Sequence, residues 1–411
     1  MWKGTFLNLI GLVIPSVIAI PAMAVMARML GVEKFGLFML AFSLLGYASI
    51  FDGGLTRSVI RAIAGHDNDN EKNKSVMGTA TIIVMSLSVI AAVLVAIFSS
   101  GIVKFLNVTE ASSMDAYHSF QLLSIVIPVY LVSVVWFAYL EGRQLFFSLN
   151  IYKVITGSII AIFPILFVYF ERTLFSAILG LLFSRLCALG LAFYSCMNGM
   201  RGLFFSFKRE ECKRLLSFGG WITFSNIISP LMVYADRFLL SNMIGANQVA
   251  FYTAPAEAIA RMGIVPGALS RTIFPLFSKS NQKSGNLAKQ AYKGLLIASL
   301  LMIIPVFIFA EFILAQWLGE QYGHKSALIM RVLLIGFFFN SLAQIPFSRI
   351  QAYGYAKLTA MIHLVELLPY IVLLAGLVYM YGITGAAVAW SLRVIFDFLI
   401  LEYYSRRIGL K

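Results

Sequence analysis

Long apolar runs separated by short polar segments make up most of the chain. The runs extend over about 20 residues, the length an α-helix needs to cross roughly 30 Å of bilayer hydrocarbon. Helix is the expected state, because a span in lipid must satisfy its own backbone hydrogen bonds. We predict an all-α integral membrane protein with twelve transmembrane helices, approximately at residues 5–27, 36–56, 76–98, 119–140, 147–170, 174–197, 216–242, 249–275, 290–312, 327–349, 358–380 and 383–404.

The second half of the chain repeats a pattern of the first half. Residues 29–38 read MLGVEKFGLF and residues 243–252 read MIGANQVAFY, an ungapped match at an offset of 214 residues. The same offset places residues 53–60, GGLTRSVI, over residues 267–274, GALSRTIF. A repeat with six spans per copy predicts two six-helix lobes related by a pseudo-two-fold axis along the membrane normal.

The lobe boundary is predicted at a basic segment. We expect an N-terminal lobe over 1–198 and a C-terminal lobe over 215–411, joined by residues 199–214, GMRGLFFSFKREECKR. Phenylalanines alternate there with cations, which is typical of an amphipathic segment on the inner leaflet. A solvated connector is the alternative.

Composition and charge support this topology. Of 411 residues, 60% are hydrophobic and 12% are charged, against roughly a quarter charged in soluble domains. With a cytoplasmic N-terminus, 22 of the 32 Lys and Arg residues lie on the cytoplasmic side, 6 outside and 4 within spans. This asymmetry predicts cytoplasmic N and C termini. The net charge of +14 then follows from topology, and anionic lipids rather than nucleic acid are the expected partner.

The sequence carries no motif of enzyme chemistry. It lacks a nucleophile elbow, a P-loop and a His/Glu metal pair at helical spacing. Its three cysteines lack metal-ligand spacing. We therefore predict a protein that is not an enzyme and has no catalytic residue, cofactor or metal.

Charged residues inside the predicted spans are the candidate functional residues, because a charge in a bilayer is costly unless it is paired or hydrated. Glu257 and Arg261 are four residues apart, so they share a helix face and can pair. Arg393 and Asp397 have the same spacing. Structural salt bridges that lock helices together are one interpretation of these pairs, and parts of a polar cavity are the other.

Other intramembrane charges have no such neighbour. Arg185 has no acid close in sequence, and Asp236 and Arg237 are adjacent, so their side chains point about 100° apart on a helix. We predict that Arg237 and Arg261 face a water-filled cavity. Their planar guanidinium groups suit phosphate oxygens.

Two equivalent arginines stand at helix ends. Arg57 and Arg271 match in the repeat and would frame the inner mouth of a central cavity, although the positive-inside rule alone also places them there. Arg28 is the corresponding candidate on the outer side. Asp52 can pair with Arg57 or take part in ion coupling.

Four short motifs carry a resemblance to a known family. They are RMLGVEKFG (28–36), FDGGL (51–55) followed by Arg57 and Arg61, LEGR (140–143) and YADRF (234–238). With the repeat, they make the chain similar to the polysaccharide (O-antigen) flippases of Gram-negative bacteria. These belong to the multidrug/oligosaccharidyl-lipid/polysaccharide exporter superfamily.

The resemblance implies a function. It implies that an oligosaccharide on undecaprenyl pyrophosphate moves from the inner to the outer leaflet of the cytoplasmic membrane by alternating access. Polysaccharide polymerase and chain-length machinery are candidate partners. The implied substrate-binding residues are Arg28, Arg57, Arg237, Arg261 and Arg271, with Arg185 and Arg393 as further candidates. Candidates for ion coupling or structural pairing are Asp52, Asp236, Glu257, Glu366 and Asp397.

Three other classes remain as alternatives. A cation-coupled multidrug or small-molecule antiporter of the same superfamily would favour an acidic cavity, whereas cations outnumber acids within the predicted spans. A major-facilitator carrier would show a Gly-rich Asp-Arg motif in the loop at 62–75, which is absent. A membrane polymerase or ligase would need a larger outside loop.

Overall fold

The structure is a computed structural model that describes the backbone of residues 2–65, 69–200, 202, 206–279 and 284–408. Within these ranges, the side chains of residues 2–10, 12, 218–231, 271–276, 278–279, 284–288 and 356 lie outside the description. Helix is the only regular secondary structure of the described residues.

The helices follow one another with short connections. In chain order they are α1 (Trp2–Ala48), a 3-10 helix (Ser49–Asp52), α2 (Leu55–Gly65), α3 (Asn70–Phe105), α4 (Glu110–Gly142), α5 (Phe146–Phe170), α6 (Leu174–Met200), α7 (Arg209–Ile244), α8 (Ala246–Met262), α9 (Ile264–Lys279), α10 (Ser284–Ile308), α11 (Ala310–Leu318), α12 (Glu320–Ala352) and α13 (Ala356–Ile408).

Two of these helices contain a break at glycine. Gly31 in α1 has φ 75° and ψ 173°, and Gly382 in α13 has φ 59° and ψ −136°. Positive φ is accessible to glycine at little cost, because glycine has no Cβ. Each of the two long helices therefore consists of two helical segments that meet at a sharp turn.

Eight candidate membrane spans occur among the described residues, judged by length and apolar composition. They are Val13–Asp52, Asn70–Phe105, Glu110–Gly142, Phe146–Phe170, Leu174–Met200, Lys289–Ile308, Glu320–Ala352 and Lys357–Arg407. The first and last each contain a glycine break and cover two predicted spans. The protein is thus a multi-pass membrane protein. The spans predicted at 216–242 and 249–275 fall on α7 and on α8 with α9, and the total of twelve stays a prediction.

Some helices begin or end at other residues than the apolar runs predict, because polar side chains cap them. α3 begins at Asn70, six residues before the predicted span, because the Asp69 carboxylate accepts the backbone N–H of Lys72 at 3.1 Å. Two hydrogen bonds from Lys72 hold the pKa of Asp69 below its usual value. The one from the Lys72 side chain has the larger effect, and the one from its backbone N–H has the smaller effect. The span predicted to end at residue 56 ends at Asp52 instead, where the chain turns.

The sequence repeat has a counterpart in local backbone conformation. Gly31 and Gly245, which match in the repeat, both have positive φ (75° and 96°). The turns after α4 and α12 also share one hydrogen-bond pattern, with three successive N–H groups returning to the helix end. The bonds are Arg143 to Tyr139, Gln144 to Glu141 and Leu145 to Leu140 in one turn, and Tyr353 to Arg349, Gly354 to Gln351 and Tyr355 to Ile350 in the other.

The other repeated motif folds differently in its two copies. Gly53 and Gly54 both have positive φ (59° and 69°) and separate the 3-10 helix from α2. The matching residues Gly267 and Ala268 lie inside α9, and the helix breaks earlier, at Gly263. Alanine at position 268 disfavours the left-handed turn that glycine allows at position 54.

Internal contacts divide the chain into two compact units. Unit 1 is Met1–Tyr234 and unit 2 is Ala235–Lys411. Of the predicted linker, residues 206–208 are irregular and residues 209–214 form the first turns of α7. The predicted lobes over 1–198 and 215–411, and the membrane-surface location of 199–214, stay predictions.

Glu33 caps a helix of unit 1. Its Oε1 accepts the backbone N–H of Thr109 at 2.9 Å, and its Oε2 accepts the hydroxyls of Thr109 at 2.7 Å and Ser112 at 3.0 Å. Thr109 directly precedes α4. A carboxylate at a helix N-terminus satisfies free N–H groups and interacts favourably with the helix dipole.

Asp115 caps the N-terminus of α6. Its two oxygens accept the backbone N–H groups of Leu174 and Phe175 at 2.8 and 2.9 Å. Lys34 lies 3.5 Å from the Asp115 carboxylate and donates to the Arg172 carbonyl at 3.1 Å. The adjacent residues 33 and 34 of the RMLGVEKFG motif therefore fasten the starts of α4 and α6 to α1.

We expect Glu33→Ala to lower the free energy of unfolding by about 1–2 kcal/mol, since losing a helix cap costs about 0.5–2 kcal/mol. Thermal unfolding of the purified protein in detergent measures the change. Glu110→Ala is the matched control, because Glu110 lies in the first turn of the same helix and is exposed. An equal loss in both variants would show that the cap hydrogen bonds contribute nothing specific.

Candidate functional site

A single carboxylate in unit 2 holds two predicted substrate arginines. Glu257 Oε1 accepts a hydrogen bond from the Arg237 guanidinium at 2.7 Å, and its Oε2 lies 3.9 Å from Arg261. The predicted pairing of Glu257 with Arg261 is therefore confirmed as the longer of two contacts. The Arg237 side chain is 7% exposed and that of Arg261 is 26% exposed. Arg261 is the guanidinium that is more accessible to a ligand.

The hydrogen bonds of Asp236 come from a backbone N–H group and from a tyrosine hydroxyl. It accepts the Arg237 backbone N–H at 2.8 Å and a short hydrogen bond from the Tyr252 hydroxyl. Asp236 and Tyr252 are both buried. A buried carboxylate needs such partners, because an unsatisfied buried charge is strongly unfavourable. Tyr252 thus attaches α8 to α7 next to the cluster around Glu257.

A second group of ionisable side chains lies on the two segments of α13. His363 Nε2 is 3.5 Å from Asp397 Oδ1, and the His363 ring stacks on Phe347 with centroids 6.0 Å apart. Glu366 interacts electrostatically with Asp397, His363 and Arg393. The two segments of α13 therefore bring two carboxylates and an imidazole together.

The predicted pair of Arg393 with Asp397 does not form among the described side chains. The Arg393 guanidinium lies over the Tyr370 ring, 5.3 Å from its centroid, while Asp397 faces His363. Neighbours at i and i+4 can meet on one helix, but here each side chain contacts a partner on the other helical segment of α13.

The two groups lie within electrostatic range of each other in unit 2, and we call them together the polar network. Asp236 interacts electrostatically with Arg393, and Tyr252 with Tyr370. Three arginines and four carboxylates belong to the network: Arg237, Arg261, Arg393, Asp236, Glu257, Glu366 and Asp397. The predicted excess of cations therefore does not extend to this network, whose formal charge is −1 with His363 neutral.

The other predicted substrate arginines lie in different surroundings. The Arg185 guanidinium of α6 lies 4.6 Å from the centroid of the Tyr130 ring, and its Nε is buried with no hydrogen-bond partner among the described residues. Arg28 and Arg57 are exposed. The Arg271 side chain lies outside the described residues. Cation–π packing lowers the cost of holding Arg185 inside the unit.

Asp52 has a local structural role. Its carboxylate accepts the Thr56 backbone N–H at 3.2 Å and the Thr56 hydroxyl at 3.1 Å. It therefore caps α2, directly across the Gly53-Gly54 turn. Its predicted roles in pairing with Arg57 or in ion coupling remain predictions.

Three tyrosines of these sites were not predicted from the sequence. They are Tyr130, Tyr252 and Tyr370. The repeat contained a signal for Tyr252, which matches Phe38 at the offset of 214 residues. The second copy thus has a ring hydroxyl at a position where the first copy has none. No comparable signal marks the other two. Among the described residues, no three His, Cys, Asp or Glu side chains form a group that could hold a metal ion.

A family model matches the larger part of the chain, and a known protein matches nearly all of it. A family model described as "Polysaccharide biosynthesis protein" matches residues 1–281. A Shigella flexneri protein named as a candidate O-antigen transporter is 45% identical over 411 residues, covering 98% of this chain and 97% of that protein.

Solved structures share the fold. The chain superposes on the lipid II flippase MurJ with a TM-score of 0.81 at 15% identity, covering 97% of this chain and 87% of that one. It superposes on a multidrug resistance MATE family transporter of the MOP superfamily with a TM-score of 0.77 at 15% identity, covering 97% of each chain. The chain therefore belongs to the polysaccharide biosynthesis protein family, with the fold of the MOP superfamily transporters.

Proposed function

We propose that the protein is a flippase that moves an undecaprenyl-pyrophosphate-linked oligosaccharide, an O-antigen or related polysaccharide repeat unit, across the bacterial cytoplasmic membrane. The direction is from the inner to the outer leaflet. The observation that carries the proposal is the 45% identity, over nearly the full length of both chains, to a protein named as a candidate O-antigen transporter. Twelve spans in two lobes with cytoplasmic termini, and transport by alternating access, are part of the proposal.

The negative charge of the pyrophosphate explains why arginines lie within the membrane helices. A pyrophosphate cannot cross hydrocarbon unaided, so the protein must supply a hydrated cationic path while the prenyl tail stays in lipid. We assign contacts with the pyrophosphate and with sugar acids to Arg28, Arg57, Arg185, Arg237, Arg261, Arg271 and Arg393. Arg261 is the principal candidate in unit 2, because it is the more exposed partner of Glu257 and the more distant one.

The carboxylates of unit 2 suit ion coupling. Asp236, Glu257, Glu366 and Asp397 share one network with three arginines, and His363 lies beside Asp397. Changes in the protonation of such a network alter its charge and thereby the balance between conformations. The formal charge of the network also favours one alternative function, a cation-coupled multidrug or small-molecule antiporter.

Reconstitution separates these functions. We expect proteoliposomes containing the purified protein to move a labelled undecaprenyl-pyrophosphate oligosaccharide between leaflets without lengthening it. Accessibility of the sugar to an external glycosidase measures the movement. Movement of cationic drugs, but not of the lipid-linked sugar, would support the antiporter and overturn the flippase. An elongated glycan would show polymerase activity.

A further inference from the structure

A small basic cavity lies in unit 1. It has a volume of about 150 Å³ and is lined by Ser58, Arg61 and Ala62 of α2 and by Arg214 and Leu215 of α7. Each helix contributes one arginine to the lining, and no acidic residue is among the described residues that line the cavity. Two guanidinium groups that converge on one cavity have the chemistry of an anion site.

The walls of this cavity are held in place by defined contacts. The buried Ser58 hydroxyl donates to the carbonyl oxygens of Gly54 at 3.0 Å and Leu215 at 3.1 Å, which ties α2 to α7. Leu55, Val59 and Ile63 form the buried face of α2. The backbone of α2 and α7 is therefore held in place around the cavity, and the two arginines supply its charged lining.

Position and charge restrict the class of anion. The candidate span Val13–Asp52 ends six residues before Ser58, and residues that closely follow the end of a span are expected near the lipid headgroups. Arg61 is exposed, and the Arg214 side chain is 55% exposed. Arg214 lies 3.8 Å from the Glu211 carboxylate, close to the outer limit of an ion pair. The local charge is thus positive at the membrane surface.

We propose that this cavity is a phosphate-binding site, filled either by the headgroup phosphate of a membrane phospholipid or by a free phosphate ion. Arg61 and Arg214 hold the phosphate oxygens, since the guanidinium fork matches their spacing. The volume is roughly ten times the ~10–15 Å³ that one water molecule needs on the same measure, so a phosphate group fits. A bound phosphate joins α2 to α7 and stabilises unit 1.

Binding to the full-length protein tests this site. The protein is purified in a maltoside detergent, and thermal unfolding is followed during titration with short-chain phosphatidylglycerol or with inorganic phosphate, with chloride at matched ionic strength as the reference. We expect phosphatidylglycerol to raise the unfolding temperature, and Arg61→Ala/Arg214→Ala to weaken its binding at least about tenfold. Stabilisation by phosphatidylglycerol alone identifies a lipid headgroup as the occupant, and stabilisation by both identifies phosphate itself as sufficient.

Matched variants separate a site from general surface charge. Arg209→Ala/Lys213→Ala removes the same charge from the start of α7 at exposed residues that do not line the cavity, and we expect it to bind like the wild type. Arg61→Lys/Arg214→Lys keeps the charge and should bind with intermediate strength, which also covers the case in which the alanine variant does not fold. Equal weakening in the control variant, or no response of the wild type to either phosphate compound, overturns the proposal.

Discussion

Glu257→Ala will destabilise unit 2 more than loss of a surface ion pair does. The Arg237 guanidinium, with a side chain only 7% exposed, is 2.7 Å from Glu257. Removing one partner of a buried ion pair leaves the other charge without its carboxylate, which costs about 3–5 kcal/mol. We expect a loss of this size in the free energy of unfolding, measured by denaturant titration in detergent micelles.

Two further variants isolate the cause of this loss. Glu257→Gln keeps the shape and one acceptor oxygen, so its loss should lie between those of the wild type and the alanine variant. Glu71→Ala removes a carboxylate whose side chain is 83% exposed and pairs with Lys74, and it should change stability little. If Glu257→Ala unfolds at the wild-type denaturant concentration, the ion pair with Arg237 does not stabilise the unit.

Arg261→Ala will lower the rate of lipid-linked oligosaccharide flipping about 10- to 100-fold, at an unchanged amount of folded protein. A hydrogen bond to a charged group is worth about 1.5–3 kcal/mol, and Arg261 is the network arginine proposed to meet the pyrophosphate. Its contact with Glu257 is 3.9 Å, so its removal affects the fold less than loss of Arg237 does. The glycosidase-accessibility assay in proteoliposomes measures the rate.

Conservative and distant substitutions complete this test. Arg261→Lys keeps the charge without the planar fork and should retain part of the activity. Arg407→Ala removes an exposed arginine that packs on Tyr403 in the same unit, and it should flip at the wild-type rate. Equal rates for Arg261→Ala and the wild type would remove Arg261 from the substrate path.

Much of the fold could be predicted from the apolar pattern. Eight candidate spans cover ten of the predicted twelve, because helices in lipid must be about 20 apolar residues long. Helix ends were predicted less well, since polar groups such as Asp69 and Asp52 decide where a helix starts or turns. The repeat correctly indicated matching backbone at Gly31 and Gly245, but the Gly53-Gly54 turn has no counterpart at Gly267 and Ala268.

The candidate site was predicted only in part. The ionisable residues could be named from the sequence, because charged residues are rare within apolar runs. Their partners could be predicted only along one helix, at a spacing of three or four residues. Glu257 with Arg261 fits that rule, whereas Arg237 meets Glu257 from a different helix.

By itself, the sequence determined that this protein is a helical membrane protein with an internal repeat and charged residues inside its spans. These properties follow from composition and local spacing, which a linear chain displays directly. Only the tertiary structure decided that Arg237 meets Glu257, that Asp397 faces His363 rather than Arg393, and that Arg61 and Arg214 share one cavity. The reason is that these neighbours come from different helical segments, and helix packing brings together residues that are far apart in the chain.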